Sequence, residues 1–188
     1  MENNFYRTVN IEEDWAPRFN VDWDSIRDPD PKKPPFEKHF TNINEVIPEY
    51  IVTRLKDVGL TLRTARIFSW PRSKVGVWHL DGRRFTEQTA MNFVLAGAGS
   101  KMQWTDAKLP TRRYFENWEG GKPSSTDNII AETSGNKIFV NIGINHRVVT
   151  ESEGRITLSL LWKESCNYPF DQMVVRLTDA GFLTATNG

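Results

Sequence analysis

The sequence predicts a mostly β protein with a jelly-roll or sandwich core. Three observations carry that expectation. Between residues 60 and 162, eight short apolar runs alternate with turns built from Gly, Pro, Asn and Ser, the signature of an all-β barrel or sandwich. The apolar period changes from helical to strand-like at Leu60. The last run sets Arg155, Thr157 and Ser159 on one face, against Ile156, Leu158, Leu160 and Trp162 on the other, as alternation along a strand requires.

Taken in order, residues 1–40 read as an irregular arm. The segment Asp28-Pro29-Asp30-Pro31-Lys32-Lys33-Pro34-Pro35 cannot enter a helix or a central strand, because proline lacks an N–H and restricts the residue before it. His39 follows it, as a surface or capping histidine or as a substrate contact. Residues 42–58 predict a helix. Asn42 or Asn44 can cap it, and Val46, Ile47, Tyr50, Ile51 and Leu55 form a stripe at helical spacing. Pro48 suits the first turn, and Gly59 stops the helix. Strands are expected at 60–70, 75–78, 90–95, 101–104, 128–132, 137–141, 146–150 and 155–162. Residues 106–127 lack a strand pattern and read as a long loop, either a substrate cover or a solvated tip. A short helix is expected at 169–177 and a frayed tail at 179–188.

The chain of 188 residues carries 24 basic and 24 acidic side chains, for zero formal net charge. One domain is the expectation at this length, and nothing in the charge favours a nucleic-acid or anionic-membrane surface. No apolar stretch approaches the ~20 residues of a membrane span, and the first residues lack the pattern of a secretory leader. Cys166 is the one cysteine, so an intrachain disulfide and a thiolate metal site are both excluded. The seven tryptophans and eleven phenylalanines suit a packed β core with aromatic-lined cavities.

The chemistry concentrates around residues 74–95. There an apolar run enters His79-Leu80-Asp81-Gly82, a polar turn follows, and a second run begins at Ala90. In extended backbone, residues i and i+2 share a side, so His79 and Asp81 can meet one metal ion. A second histidine, His146, opens a later β-like run, and Arg155-Ile156-Thr157 starts nine residues beyond it. Two histidines and one carboxylate with open coordination positions make a facial triad. No further histidine is at hand for a closed structural zinc site.

His79-x-Asp81, His146 and Arg155-x-Thr157 resemble the 2-oxoglutarate- and Fe(II)-dependent dioxygenases in order, spacing and surrounding strands. The resemblance covers residues 63–162. It implies a double-stranded β-helix, a cupin-like jelly roll with a supporting N-terminal helix and a short C-terminal one. It implies Fe(II) on His79, Asp81 and His146, and 2-oxoglutarate and O2 as co-substrates. It further implies Arg155 and Thr157 as the holders of the distal 2-oxoglutarate carboxylate. Asn92 and Trp104 are candidates for the same pocket, although Asn92 could instead satisfy a buried neighbour. Arg147, beside His146 on a strand, is expected to point away from the metal.

The implied activity is oxidative decarboxylation of 2-oxoglutarate to succinate and CO2, coupled to oxidation of a substrate, with hydroxylation as the expected outcome. The other reading is a cupin-like protein that binds a metal or a small acid without oxygenase activity. A single spectator thiol fits a reducing cytoplasm, which would also help keep iron ferrous. The substrate, small molecule or protein, and the oligomeric state are not legible.

Overall fold

The computed structural model describes residues 4–11, 36–81, 89–97, 99–106 and 128–184. The loop expected at 106–127 lies outside the described residues from 107 onward, as does the turn at 82–88.

Nine strands are described: β1 Tyr6–Thr8, β2 Phe36–Phe40, β3 Leu62–Trp70, β4 Thr89–Ala96, β5 Lys101–Thr105, β6 Ile129–Thr133, β7 Lys137–Asn141, β8 His146–Val149 and β9 Arg155–Trp162. Two α-helices join them, α1 Glu49–Asp57 and α2 Phe170–Asp179. The strands form two sheets, one of six in the order β1-β7-β4-β9-β3-β2 and one of three in the order β6-β5-β8. Every pairing is antiparallel.

The expected strand at 75–78 is not a regular strand. It meets β8 through two isolated bridges, Val75 to Val149 and His79 to His146, and so extends the small sheet on its β8 side. From β3 onward the chain then alternates between sheets: β3 large, 75–79 small, β4 large, β5 and β6 small, β7 large, β8 small, β9 large. This is the winding of a double-stranded β-helix.

The central strands of the large sheet, β4 and β9, bury both faces along most of their length. One face packs on the helices, where Ala65, Ile67, Met91, Phe93, Ile156, Leu158 and Leu160 meet Ile51 and Leu55 of α1 and Met173 and Leu177 of α2. Burying each of the Ile, Leu, Met and Phe side chains fully contributes about 1.5–3 kcal/mol. The other face meets the small sheet, and there Ala90, Ile138, Val140 and Leu161 pack on Met102 and Trp104. Because β9 alternates, Arg155, Thr157 and Ser159 share the inter-sheet side with Leu161, and all three are buried.

Three further sequence expectations are corrected. The arm at 1–40 is not wholly irregular, since β1 pairs with β7 and β2 with β3 as edge strands. The helix at 42–58 is two pieces, a 3-10 turn Ile43–Glu45 and then α1. Pro48 is extended, with ψ 139°, and it disfavours helical backbone at Ile47 before it. The tail is packed through its first turn. Gly181 takes φ +73°, Phe182 and Leu183 are buried, and the Asn10 N–H donates to the Phe182 carbonyl at 2.8 Å. Two apolar side chains that can reach the core outweigh the tendency of a terminus to fray.

Candidate metal centre

Backbone pairing brings the two histidines together. The His79 N–H donates to the His146 carbonyl, and the His146 N–H donates to the His79 carbonyl, each at 3.0 Å. Their rings sit 4.4 Å apart between centroids. The Asp81 N–H donates to Ile142 at 3.2 Å, which returns the carboxylate to the side of His79. His79, Asp81 and His146 each present a ligand atom within 4.8 Å of the others, and no other such triad occurs among the described residues.

Each imidazole is oriented in the same way. His79 Nδ1 lies 2.9 Å from the Val77 carbonyl, and His146 Nδ1 lies 2.9 Å from the Ile144 carbonyl. A carbonyl only accepts, so both Nδ1 atoms carry the proton and donate it. In the neutral ring Nε2 is then a bare lone pair. Both Nε2 atoms face Asp81, at 3.4 Å from Oδ1 and 3.5 Å from Oδ2. Two lone pairs aimed at a carboxylate repel it unless a cation or a proton stands between them. A backbone acceptor on the distal ring nitrogen is also what fixes metal-binding histidines. The donor set therefore fits a divalent metal that takes nitrogen and oxygen ligands.

Protons compete for the same atoms. Burial works against charging His79, but the Asp81 carboxylate beside it more than offsets this and raises its proton affinity. Burial alone would raise the Asp81 carboxyl. Its contacts with His146 and His79 outweigh that and hold it well below the usual carboxylate range. The Asp81 side chain keeps 40% exposure, so water tempers this pull.

The sign of the pH dependence follows. A raised His79 stabilises the metal-free fold fully below pH ~6.5, and the contribution is lost as pH rises through the raised value. The depressed Asp81 stabilises above pH ~3.9 and loses its contribution as pH falls further. Metal must displace the imidazolium proton. Chelator-treated protein should therefore melt lower at pH 8 than at pH 6, while the rise in melting temperature on adding Zn(II) should grow over the same interval. A rise independent of pH would contradict this coupling.

Arg155 is the second feature of the inter-sheet space. Its side chain is 2% exposed, and Nε donates to Thr157 Oγ1 at 2.7 Å. Burial pushes its pKa down to about 10, with no carboxylate contributing. Among the described residues, no acidic group ion-pairs with it. A buried guanidinium without a counter-charge is costly, and such a group suits a carboxylate ligand held bidentately.

Gly97 fixes the approach to this arginine. It has φ +80°, and a Cβ there would lie 2.0 Å from the Gly154 carbonyl oxygen and 2.9 Å from Arg155 Cα. Gly97→Ala should cost roughly 1–3 kcal/mol in stability, from the left-handed backbone and the displaced neighbour. It should also weaken 2-oxoglutarate binding more than metal binding. Melting and ligand titrations check this, and equal losses for the two ligands would remove the positioning role.

The remaining sequence candidates fall in different surroundings. Asn92 is buried between Ser159 and Ile138 in the register of the large sheet. Its Nδ2 lies 3.9 Å from Met102 Sδ, while its Oδ1 has no hydrogen-bond partner. Trp104 lies directly across from His146 on the small sheet, but its indole N–H is taken by the Asn141 carbonyl at 2.9 Å. Its ring stacks on Tyr6, so it packs the core beside the triad. Arg147 points to the other side, donating to Gln103 Oε1 at 2.8 Å and lying over the Trp78 ring.

His39 stands on edge strand β2, with Nε2 2.5 Å from Glu37 Oε1. Arg66 shares their face and the influence of Asp81. Sequence reasoning left Glu37 and Arg66 unmarked. The available signal was a lone arginine within the otherwise apolar Ala65–Phe68 run.

No protein-family model matches the chain, and no curated protein matches it. Among solved structures it is similar to an oxidoreductase of the 2OG-Fe(II) oxygenase family from Burkholderia pseudomallei, at 13% identity and TM-score 0.38, over 59% of this chain and 48% of that one. The chain thus spans about half the length of that protein. It is also similar to a Pseudomonas putida prolyl-4-hydroxylase, at 12% identity and TM-score 0.41, over 79% of this chain and 78% of that one. A third is HygX from Streptomyces hygroscopicus, solved with nickel and 2-oxoglutarate bound, at 15% identity and TM-score 0.37, over 71% of this chain and 72% of that one.

Proposed function

We propose that this chain is an Fe(II)- and 2-oxoglutarate-dependent dioxygenase, acting as a hydroxylase. The observation that carries the reading is a pair of histidines whose Nε2 lone pairs converge on one carboxylate, in the same inter-sheet space as a buried arginine that ion-pairs with no acidic group among the described residues. His79, Asp81 and His146 would hold the metal. When bound, Fe(II) with O2 supplies the oxidative decarboxylation of 2-oxoglutarate to succinate and CO2 that is coupled to substrate oxidation.

The protein's own residues do the remaining work. Arg155 takes the distal carboxylate of 2-oxoglutarate in two parallel hydrogen bonds, and Thr157 Oγ1 fixes the guanidinium. Asn92 Oδ1 is a buried acceptor aimed into the same space. The Val77 and Ile144 carbonyls keep both imidazoles turned toward the metal. The apolar inner wall of Leu161, Met102 and Trp104 excludes water.

Among the described residues no helix is long and apolar enough to cross a membrane. We place the protein in the cytoplasm, where a reducing environment suits ferrous iron and the lone buried thiol Cys166.

Succinate and labelled CO2 formed from 2-oxoglutarate in air, dependent on Fe(II) and without added substrate, test the reading. A protein that binds both ligands but releases neither product is the cupin-like binder instead.

A further inference from the structure

A large aromatic side chain stands at the Arg155 end of the inter-sheet space and belongs to neither apolar core. Trp70 is the last residue of β3 and is buried. It joins neither the cluster on the helix-facing side nor the one between the sheets. Register sets it directly across from Arg155, the first residue of β9. Cross-strand partners share a face, with Cβ atoms about 4.5–5.5 Å apart. Trp70 and Arg155 therefore rise side by side into the inter-sheet space, at the same end of the large sheet.

The indole crosses that space. Gly76 lies in the segment that extends the small sheet, and its N–H donates to the Val148 carbonyl at 2.8 Å. A Cβ on Gly76 would lie 3.3 Å from both Cζ3 and Cη2 of Trp70. The far edge of the ring thus rests on small-sheet backbone, where the absence of a side chain makes room for it. One tryptophan spans the gap from β3 to the opposite sheet beside Arg155. The arginine leans away from it, since Nε bonds Thr157 Oγ1 at 2.7 Å, further along β9. On the β4 flank, Gly97 leaves no room for even a Cβ against Arg155 Cα. Arg155 is thus held between Gly97 and Trp70, with its guanidinium turned into the site.

We propose that Trp70 sets the length of the 2-oxo diacid that the site accepts. With the indole in place the guanidinium cannot draw back toward the end of the sheet. A diacid one methylene longer than 2-oxoglutarate then cannot reach the metal and Arg155 together. A smaller residue at 70 opens space beside Arg155 into which the guanidinium can retreat. The inference rests on the proposed dioxygenase reading for 2-oxoglutarate as the acid that fits.

Calorimetric titration of Zn(II)-loaded protein with 2-oxoglutarate and with 2-oxoadipate tests it. The parent should favour 2-oxoglutarate by at least ~10-fold, since one methylene in a closed pocket is worth about 10- to 200-fold. Trp70→Ala should lower that ratio at least ~10-fold, chiefly by gaining affinity for 2-oxoadipate. Trp70→Phe, which keeps a shorter ring, should move the ratio the same way by less, and it serves if Trp70→Ala fails to fold. Zn(II) affinity should stay at the parent level in both. Trp162→Phe is the control for packing alone, because Trp162 is buried in the core on the helix-facing side. It should lower the melting temperature and leave the ratio unchanged. Trp70 variants that keep the parent ratio, or that weaken both acids equally, overturn the proposal and leave the dioxygenase reading standing. A Trp162→Phe variant that shifts the ratio as far as Trp70→Phe does also overturns the proposal. A parent that binds neither acid overturns the proposal and that reading together.

Discussion

An Arg155→Ala variant is expected to bind Fe(II) like the parent and to bind 2-oxoglutarate roughly 30- to several-thousand-fold more weakly. Among the described residues Arg155 hydrogen-bonds Thr157 and none of the three proposed metal-binding side chains. Removing it leaves a ligand carboxylate buried without a counter-charge, a loss of about 2–5 kcal/mol at tenfold per 1.4 kcal/mol. The variant itself should fold well, because the guanidinium it loses is buried and meets no counter-charge among the described residues. Its melting temperature should be no lower than the parent's by more than the cavity left behind requires. Arg147→Ala is the matching control. Arg147 is also buried, but it bonds Gln103 and covers Trp78 on the opposite side of the small sheet. That variant should titrate with 2-oxoglutarate like the parent. If Arg147→Ala loses 2-oxoglutarate and Arg155→Ala keeps it, the assignment of the co-substrate pocket is wrong.

The second large effect is on the metal. His146→Ala should abolish tight Fe(II) binding while leaving the fold intact. The backbone bonds that join His146 to His79 do not involve the side chain, so the pairing of β8 with residues 75–79 survives. What is lost is one of the two proposed nitrogen ligands and the ring packed on His79 at 4.4 Å. Far-UV circular dichroism should match the parent, and a Co(II) or Fe(II) titration should show no tight site. A variant that still binds metal like the parent would remove His146 from the centre.

Much of this was legible in the sequence, because strand geometry is periodic. The i, i+2 spacing of His79 and Asp81 placed both on one side, and alternation in 155–162 separated Arg155, Thr157 and Ser159 from the helix-facing apolar set. The turn residues marked most of the core strands to within one or two positions. Other features depend on contacts far apart in the chain. Nothing local to Val77 or Ile144 announces that its carbonyl will orient a histidine, since that follows from the pairing of 75–79 with β8. The edge strands β1 and β2 sit beside polar and proline-rich stretches that hide them, and their partners lie at 137–141 and 62–70. Trp104 illustrates the same limit. Its position beside His146 follows from register, but only the Asn141 carbonyl shows that its polar atom is already occupied. The cluster of Glu37, His39 and Arg66 exists only once β2 docks on β3.

The most direct measurement is an anaerobic titration of the purified chain with Fe(II) and then 2-oxoglutarate, followed by visible absorption. Chelation of Fe(II) by 2-oxoglutarate in a His79, Asp81 and His146 site should give a weak metal-to-ligand charge-transfer band that saturates at one equivalent of each, appears only when both are present and bleaches on exposure to O2. Tight Fe(II) binding with no band at any 2-oxoglutarate concentration, or no Fe(II) binding at all, would contradict the account.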